Sequence, residues 1–404
     1  MRFLHLADVH IGAWRDPVLK ELPLKAFERA VSFALDKKVD FVLIAGDLFN
    51  TSIPPLDMVK QTVGQLQRLK QASIAVYVVA GSHDYSPSGK TMLDVLEEAG
   101  LLVNVMKGDV VEHDGKERLA LRFTTDPTTG VKLAGILGRA GGLDKRYYED
   151  LDRDALEKTA GPKIFLFHAA ITELKTKDLA HMESSPVSML PKGFDYYAGG
   201  HVHIVGETSV PGYKNVVYPG PLFPASFSEL EELSTGSAVL VEDWQMTRVP
   251  ITVAERVVVS IDVEGKSLEQ ADVEVKRHAD VDVKERIVLL RLQGTLSSGS
   301  PSHLALKEIF AAWHERGAVA ILKNTAKLST KDLDSPVAVT SSNDVEASII
   351  NESVGKVPIG ITKEDEATLT RELLNILGEE QREGEKKYAY DERVAKAARE
   401  RLTK

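Results

Sequence analysis

Five short apolar runs, at 3–7, 41–45, 75–80, 163–167 and 196–198, each lead into a candidate ligand or a glycine. Runs this short suit buried strands rather than helices, and a strand ends where its side chains turn polar. The residues at those ends are Asp8-Val9-His10, Gly46-Asp47, Gly81-Ser82-His83-Asp84, His168 and Gly200-His201-Val202-His203. Asp8 and His203 are 195 positions apart, so only a fold that brings strand ends to one edge can gather them. Helical patterns lie between the strands. Asp16-Pro17 offers an N-cap followed by proline at the first helical position, then Leu19, Leu22, Ala26, Phe27, Ala30, Val31 and Ala34 recur at helical spacing. The stretch 58–69 repeats the pattern. Strand and helix in alternation predict an α/β layered domain over the first 245 residues, with function in the loops beyond the strands' carboxyl ends.

Asp8 and His10 are two apart, which in extended chain puts both side chains on one face, and the same holds for His201 and His203. Taken singly, an Asp after a strand is a turn former, and a His pair is more often a satisfied polar contact. Taken together, five of the eleven histidines fall at these strand ends, and a joint metal site accounts for that better than chance. Carboxylate oxygen and imidazole nitrogen with no thiolate suit divalent Mn, Fe or Zn, ions that polarise phosphates and activate water. His5 lies inside the first run and reads as a core or supporting residue. His113, His181, His278, His303 and His314 receive no role.

A chain of 404 residues has room for two or three domains. Charged residues at 27% and apolar ones at 43% are ordinary for a soluble globular protein. No basic leader and no apolar stretch of membrane length is present, so neither export nor a membrane role is expected. Zero Cys excludes disulfides and zinc fingers. The net charge of −10 weighs only weakly against a nucleic-acid substrate, because bound cations and local Lys/Arg clusters add positive charge where it is needed. After about Val249 the pattern changes: Val257, Val259, Ile261 and Val263 alternate, 287–292 and 318–322 add strands, and Ser300-Pro301 caps a helix carrying Leu304, Leu306, Ile309, Phe310 and Trp313. From 329 to 343 the composition is that of a linker. The end is helical and charged, with apolar stripes Leu369, Leu373, Ile376, Leu377 and Tyr390, Val394, Ala398, Leu402 that need a partner surface. The expected layout is 1–248, 249–328, a linker 329–362, and a helical segment 363–404.

Asp-x-His, Gly-Asp-Leu-Phe, Gly-x-His-Asp, a lone His and Gly-His-x-His, in this order, resemble the calcineurin-like metallophosphoesterase superfamily. The opening run 3–12, the segment 45–49 and Tyr218-Pro219-Gly220 are similar to the double-strand-break repair nucleases called Mre-eleven in archaea and eukaryotes and SbcD in bacteria. The match covers motifs of roughly the first 230 residues; beyond them only the domain order is similar. The resemblance implies a layered metallophosphoesterase β-sandwich flanked by helices, a small α+β capping domain that helps bind DNA, and a helical C-terminal segment. It further implies a Mn-dependent 3′-to-5′ double-strand exonuclease and single-strand endonuclease, homodimeric, intracellular and nucleoid-associated, whose tail grips an SMC-like coiled-coil ABC ATPase of the Rad-fifty or SbcC type. Of two Mn²⁺ ions, one would be held by Asp8, His10, Asp47 and His203. The other would be held by Asp47, Ser82, His168 and His201, so that Asp47 bridges. His83 would hold no metal and would stabilise the transition state or protonate the leaving 3′ oxygen. Two positions depart from the family: Ser82 stands where relatives usually carry Asn, and Asn50 where many carry His. Two other readings stay open, a phosphoesterase for phosphoproteins or small nucleotides, and a DNA-end-binding scaffold with a weakened metal site.

Overall fold

The computed structural model describes residues 1–86, 90–113, 115–139, 145–175, 182–331, 350, 362–379 and 387–402. Two six-stranded sheets lie face to face. The first runs β14 (Gln245–Ile251), β13 (Gly236–Glu242), β1 (Arg2–Leu6), β2 (Phe41–Ala45), β3 (Ala75–Val79), β4 (Val103–Asn104). Strands β1 to β4 are parallel, with Leu6 opposite Ile44 and Ala45 opposite Val79, and β13 and β14 close the edge antiparallel. The second runs β11 (Val205–Val210), β12 (Tyr213–Pro219), β10 (Tyr196–Gly200), β9 (Lys163–His168), β8 (Lys132–Ile136), β7 (Thr124–Thr125). Its central strands β8, β9, β10 and β12 are parallel. A separate hairpin pairs β5 (Gly108–His113) with β6 (Lys116–Leu121).

Alternation along the strands decides the layers. Phe3, Phe41, Leu43, Tyr77 and Val79 meet Ile164, Leu166, Tyr196 and Val217 between the sheets. Leu4, Val42, Ile44 and Val78 point the other way, onto Phe27, Val31, Leu66 and Leu69 of helices Leu22–Lys37 and Leu56–Gln71. Phe165, Phe167 and Tyr197 pack outward on Tyr148, Leu190 and Phe194. Strands covered on both faces are continuously apolar, which is why they stood out as runs. The fold is thus the layered α/β sandwich flanked by helices.

Asp16 caps as expected, its carboxylate accepting from the amides of Val18 and Leu19. The helix it opens, Pro17–Lys20, lasts one turn before Leu22–Lys37 begins. Pro23 explains the break: in a continuous helix it has no N–H for residue 19 and its ring meets that carbonyl.

Strand β14 stays in the first sheet to Ile251, three residues past the expected boundary at 248. Beyond it β15 (Glu255–Asp262), β16 (Arg286–Leu296) and β17 (Ala320–Thr330) form a three-stranded sheet, with β15 parallel to β16. Val259, Ile261, Leu290 and Leu292 pack on Ile309 and Trp313 of helix Leu306–Glu315. Ser300-Pro301 begins only a 3₁₀ turn, Pro301–His303, and the helix proper starts at Leu306. Strand β17 continues to Thr330, into the stretch expected as linker. Most of that linker, and His181, fall outside the described residues.

The chain divides into two compact units, Met1–Ser329 and Thr330–Lys404. In the second, helices Lys363–Leu377 and Lys387–Leu402 pair, with Thr362 capping the first and Val394 buried. Arg401 bonds to Glu372, and the Tyr390 hydroxyl donates to the Glu379 carbonyl at 2.9 Å. Among the described residues no helix is long and apolar enough to cross a membrane.

Candidate metal centre

The loops after β1 and β2 are tied together before any side chain is considered. The amide of Asp8 donates to the Gly46 carbonyl, that of His10 to Asp47, and that of Ile11 to Leu48. Asp8, His10, Asp47, His201 and His203 all hold positive φ, between 49° and 106°. Non-glycine residues rarely adopt this region, and such strain persists where the surroundings over-determine it. Glycine is required beside them. A Cβ at Gly46, whose φ is 88°, would overlap the His168 imidazole, and one at Gly81 would overlap the Asp47 carboxylate.

The side chains then converge. Asp8, His10 and His203 bring ligand atoms within 4.8 Å of one another, as do Asp8, Asp47 and His168, and also His10, Asp47 and His83. Asp47 Oδ2 lies 3.2 Å from His168 Nε2 and 3.6 Å from His10 Nε2, so one carboxylate faces both halves of the site. Asp8 Oδ1 is 3.7 Å from His203 Nε2 and 4.0 Å from His168 Nδ1. His201 joins through its ring, 5.0 Å from that of His168, and its amide donates to both Asp8 oxygens at 3.0 and 3.1 Å. Ser82 is half-buried in the turn before His83. His83 itself is exposed, its ring edge-on to His10 at 4.7 Å, with Nδ1 2.9 Å from the Asn50 carbonyl and its amide donating to Asp47 Oδ1 at 2.8 Å.

The donor set fits divalent metal. His168 Nδ1 donates to the Ala45 carbonyl at 2.9 Å, so Nε2 is the nitrogen that faces Asp47 and on which a cation would replace a proton. His203 Nδ1 likewise meets Glu229 Oε2 at 3.1 Å. The Nε2 atoms of His10 and His203 then face each other at 3.0 Å, an arrangement natural for two nitrogens sharing one cation.

Electrostatics agree. Burial disfavours charge on Asp47, yet His168 and His10 outweigh it and hold the carboxyl well below the usual range. Burial raises Asp8, opposed by His203 and His168. Against burial, Asp47 lifts His168 to about 10, and Asp8 with Glu229 lifts His203 to about 9. Burial lowers His10 to about 3 and, with His168, lowers His201 to about 4. The metal-free cluster therefore pairs two protonated imidazoles with buried carboxylates, and cations binding there displace protons.

Two supporting residues carried no sequence assignment. Glu229, on helix Phe227–Leu233, orients His203 and also accepts from the Ala225 amide at 2.9 Å. Asp84 is buried and accepts from the amides of Leu48, Phe49 and Gly81, which clamps the loop that presents Asp47. Burial, aided by Asp47, nonetheless pushes Asp84 up to about 7. His5 is buried in β1, with Nδ1 3.0 Å from the Tyr196 hydroxyl, the supporting role expected.

Comparison with known proteins agrees with this geometry. Over 314 residues the chain is 27% identical to the DNA double-strand break repair protein Mre11 of Archaeoglobus fulgidus, covering 73% of this chain and 69% of that protein. The proteins of the same name from Aeropyrum pernix and Methanococcus maripaludis are 32% and 28% identical, over 60% and 50% of this chain. The chain spans 58% and 52% of the length of those two. The family model for calcineurin-like phosphoesterases matches residues 1–205, which takes in β1 to β10 and every candidate ligand named above, and the chain belongs to that family.

Proposed function

We propose that this protein is a Mn²⁺-dependent DNA nuclease of a break-repair complex. It would act as a 3′-to-5′ double-strand exonuclease and single-strand endonuclease, as a homodimer associated with the nucleoid, with an SMC-like coiled-coil ABC ATPase as partner. The observation that carries the reading is the convergence of Asp8, His10, Asp47, His168 and His203 around a carboxylate that faces both halves, with exposed His83 at the mouth. The name shared by the archaeal relatives supplies the substrate class.

In this reading Asp8, His10, Asp47 and His203 hold one cation and Asp47, Ser82, His168 and His201 the other. Bound divalent ions supply Lewis acidity to a phosphodiester and to an attacking water. The protein's own contribution is orientation and proton control. Glu229 and the Ala45 carbonyl fix two imidazole tautomers, and Asp84 holds the Asp47 loop. His83 keeps its Nδ1–H on the Asn50 carbonyl, so Nε2 is the nitrogen left for the leaving oxygen, to which the doubly protonated ring would deliver its Nε2 proton and become neutral.

His83→Gln should leave Mn²⁺ and DNA binding nearly unchanged while cleavage falls by on the order of 10² to 10⁴. Metal titration and oligonucleotide cleavage on the same preparation check this; loss of metal together with activity would make His83 a ligand. The wider reading is tested by assaying plasmid, mononucleotide esters and phosphopeptides with Mn²⁺. Turnover confined to the last two substrates overturns the nuclease, and DNA binding with no turnover at all points to a scaffold.

A further inference from the structure

Beside the metal cluster lies a cavity of about 560 Å³ lined by Arg139, Lys145, Ser184, Ser185 and the candidate ligand His201. That volume suits one nucleotide. Arg139 follows Gly138, whose amide donates to the Ala80 carbonyl and whose Cα is so close to His168 that any Cβ would meet the imidazole. Its guanidinium stacks over the Tyr85 ring at 4.5 Å, and Tyr85 closes the turn that carries His83. Arg139 thus bridges the two loops that present His83 and His168, at the wall shared with His201.

The Nε of Arg139 is buried without a hydrogen-bond partner, and among the described residues no carboxylate pairs with its guanidinium. Glu183 also lines the cavity but makes no such pair, and Lys145 is 3.7 Å from Glu149. A guanidinium braced over an aromatic ring at the wall of this cavity can present its Nη donors to a forked anion. The cluster next to it is where the scissile phosphate would bind, so the nearest anion on a nucleic-acid strand is the adjoining phosphate.

We propose that Arg139, braced by Tyr85, is a positioning residue that binds the backbone phosphate next to the scissile one, so that the site selects a nucleotide chain over an isolated phosphate ester. The inference rests on the proposed function, and its first test does not depend on cleavage. Calorimetric titration of the Mn²⁺-loaded protein compares thymidine 3′,5′-bisphosphate with thymidine 5′-monophosphate. The native protein should bind the bisphosphate roughly 10- to 100-fold more tightly, the scale of a charge-assisted fork. That preference should vanish in Arg139→Ala, persist in part in Arg139→Lys, and shrink in Tyr85→Ala. No preference in the native protein, or an equal one in Arg139→Ala, overturns the proposal, as does weakening of both ligands alike, which would put Arg139 on the scissile phosphate or in support of the metal cluster. A single-stranded oligonucleotide with a neutral methylphosphonate beside the scissile linkage separates chain from free nucleotide: it should be cut less well by the native protein, with no added loss in Arg139→Ala. An equal added loss in both proteins counts against the proposal. Failure to cut any oligonucleotide, with the bisphosphate preference intact, would defeat the nuclease reading and leave the phosphate subsite standing.

Discussion

Glu229 shows how one carboxylate serves two tasks, of which residue spacing marks only one. Ser226 and Glu229 are three apart, the spacing of a capping box, and they do cap: the Ser226 hydroxyl accepts from the Glu229 amide at 3.2 Å. What spacing did not reveal is that the same carboxylate reaches His203, because that contact depends on two segments 26 positions apart meeting. A carboxylate that orients a ligating imidazole is worth about 10- to 100-fold in metal affinity. Glu229→Ala should therefore weaken Mn²⁺ binding by about that factor while the fold survives; competition titration with a chelator checks it, and unchanged affinity would reduce Glu229 to a cap. His5 gives a pH signature. Burial lowers its pKa from 6.5 to about 3 in the fold, so its contribution to stability is full above pH 6.5 and is lost as pH falls towards 3. The upper limit on the slope is about 1.4 kcal/mol per pH unit. Denaturant unfolding at pH 7 and pH 5 should show a steeper loss in the native protein than in His5→Gln, and parallel slopes would contradict it. Asp8, His10, His83, His168, His201 and His203 were legible as candidates because each follows an apolar run, whereas Asp84 stood in the same Gly-x-His-Asp motif with no sign of the loop it clamps.

Among the elements, helix Phe227–Leu233 links the metal cluster to the three-stranded sheet. It carries Glu229 on one side. Two residues on, Glu231 takes a fork from Arg291 of β16, whose guanidinium also lies over Phe227 at 5.3 Å. Arg256 of β15 donates to the Glu231 carbonyl at 2.7 Å. A seven-residue helix is marginal by itself and takes its position from such contacts. Arg291→Ala should cost on the order of 1 kcal/mol, as a partly buried ion pair near the surface does, and also loosen Mn²⁺ binding a few-fold through Glu229. Thermal unfolding of the metal-free protein and metal titration read the two effects separately. Lower stability with unchanged metal affinity would mean that the helix does not transmit the contact. The same scale shows where sequence spacing misplaced an element: Ser300-Pro301 carries every mark of a helix start, yet the chain makes one 3₁₀ turn and begins again at Leu306.

At the scale of the whole molecule, the compact unit Met1–Ser329 holds every residue assigned to chemistry, and Thr330–Lys404 holds a helical pair with Leu374, Leu377 and Leu402 exposed. Deleting 363–404 should leave Mn²⁺ binding and oligonucleotide cleavage near their native levels while abolishing association with a coiled-coil ATPase. Co-purification of the two proteins tests it, and retained association would place the partner's surface elsewhere. The sequence by itself determined the layered α/β class and the candidate ligands, because a buried parallel strand needs an unbroken apolar run and its end is marked by the first Asp, His or Gly. Only the tertiary structure decided that Asp47 faces both His10 and His168, that Glu229 holds His203, and that Arg139 lines one cavity with His201. Those relations join strands of two different sheets and residues up to 121 positions apart. They depend on sheet order and on backbone held at positive φ, and neither leaves a local pattern in the chain.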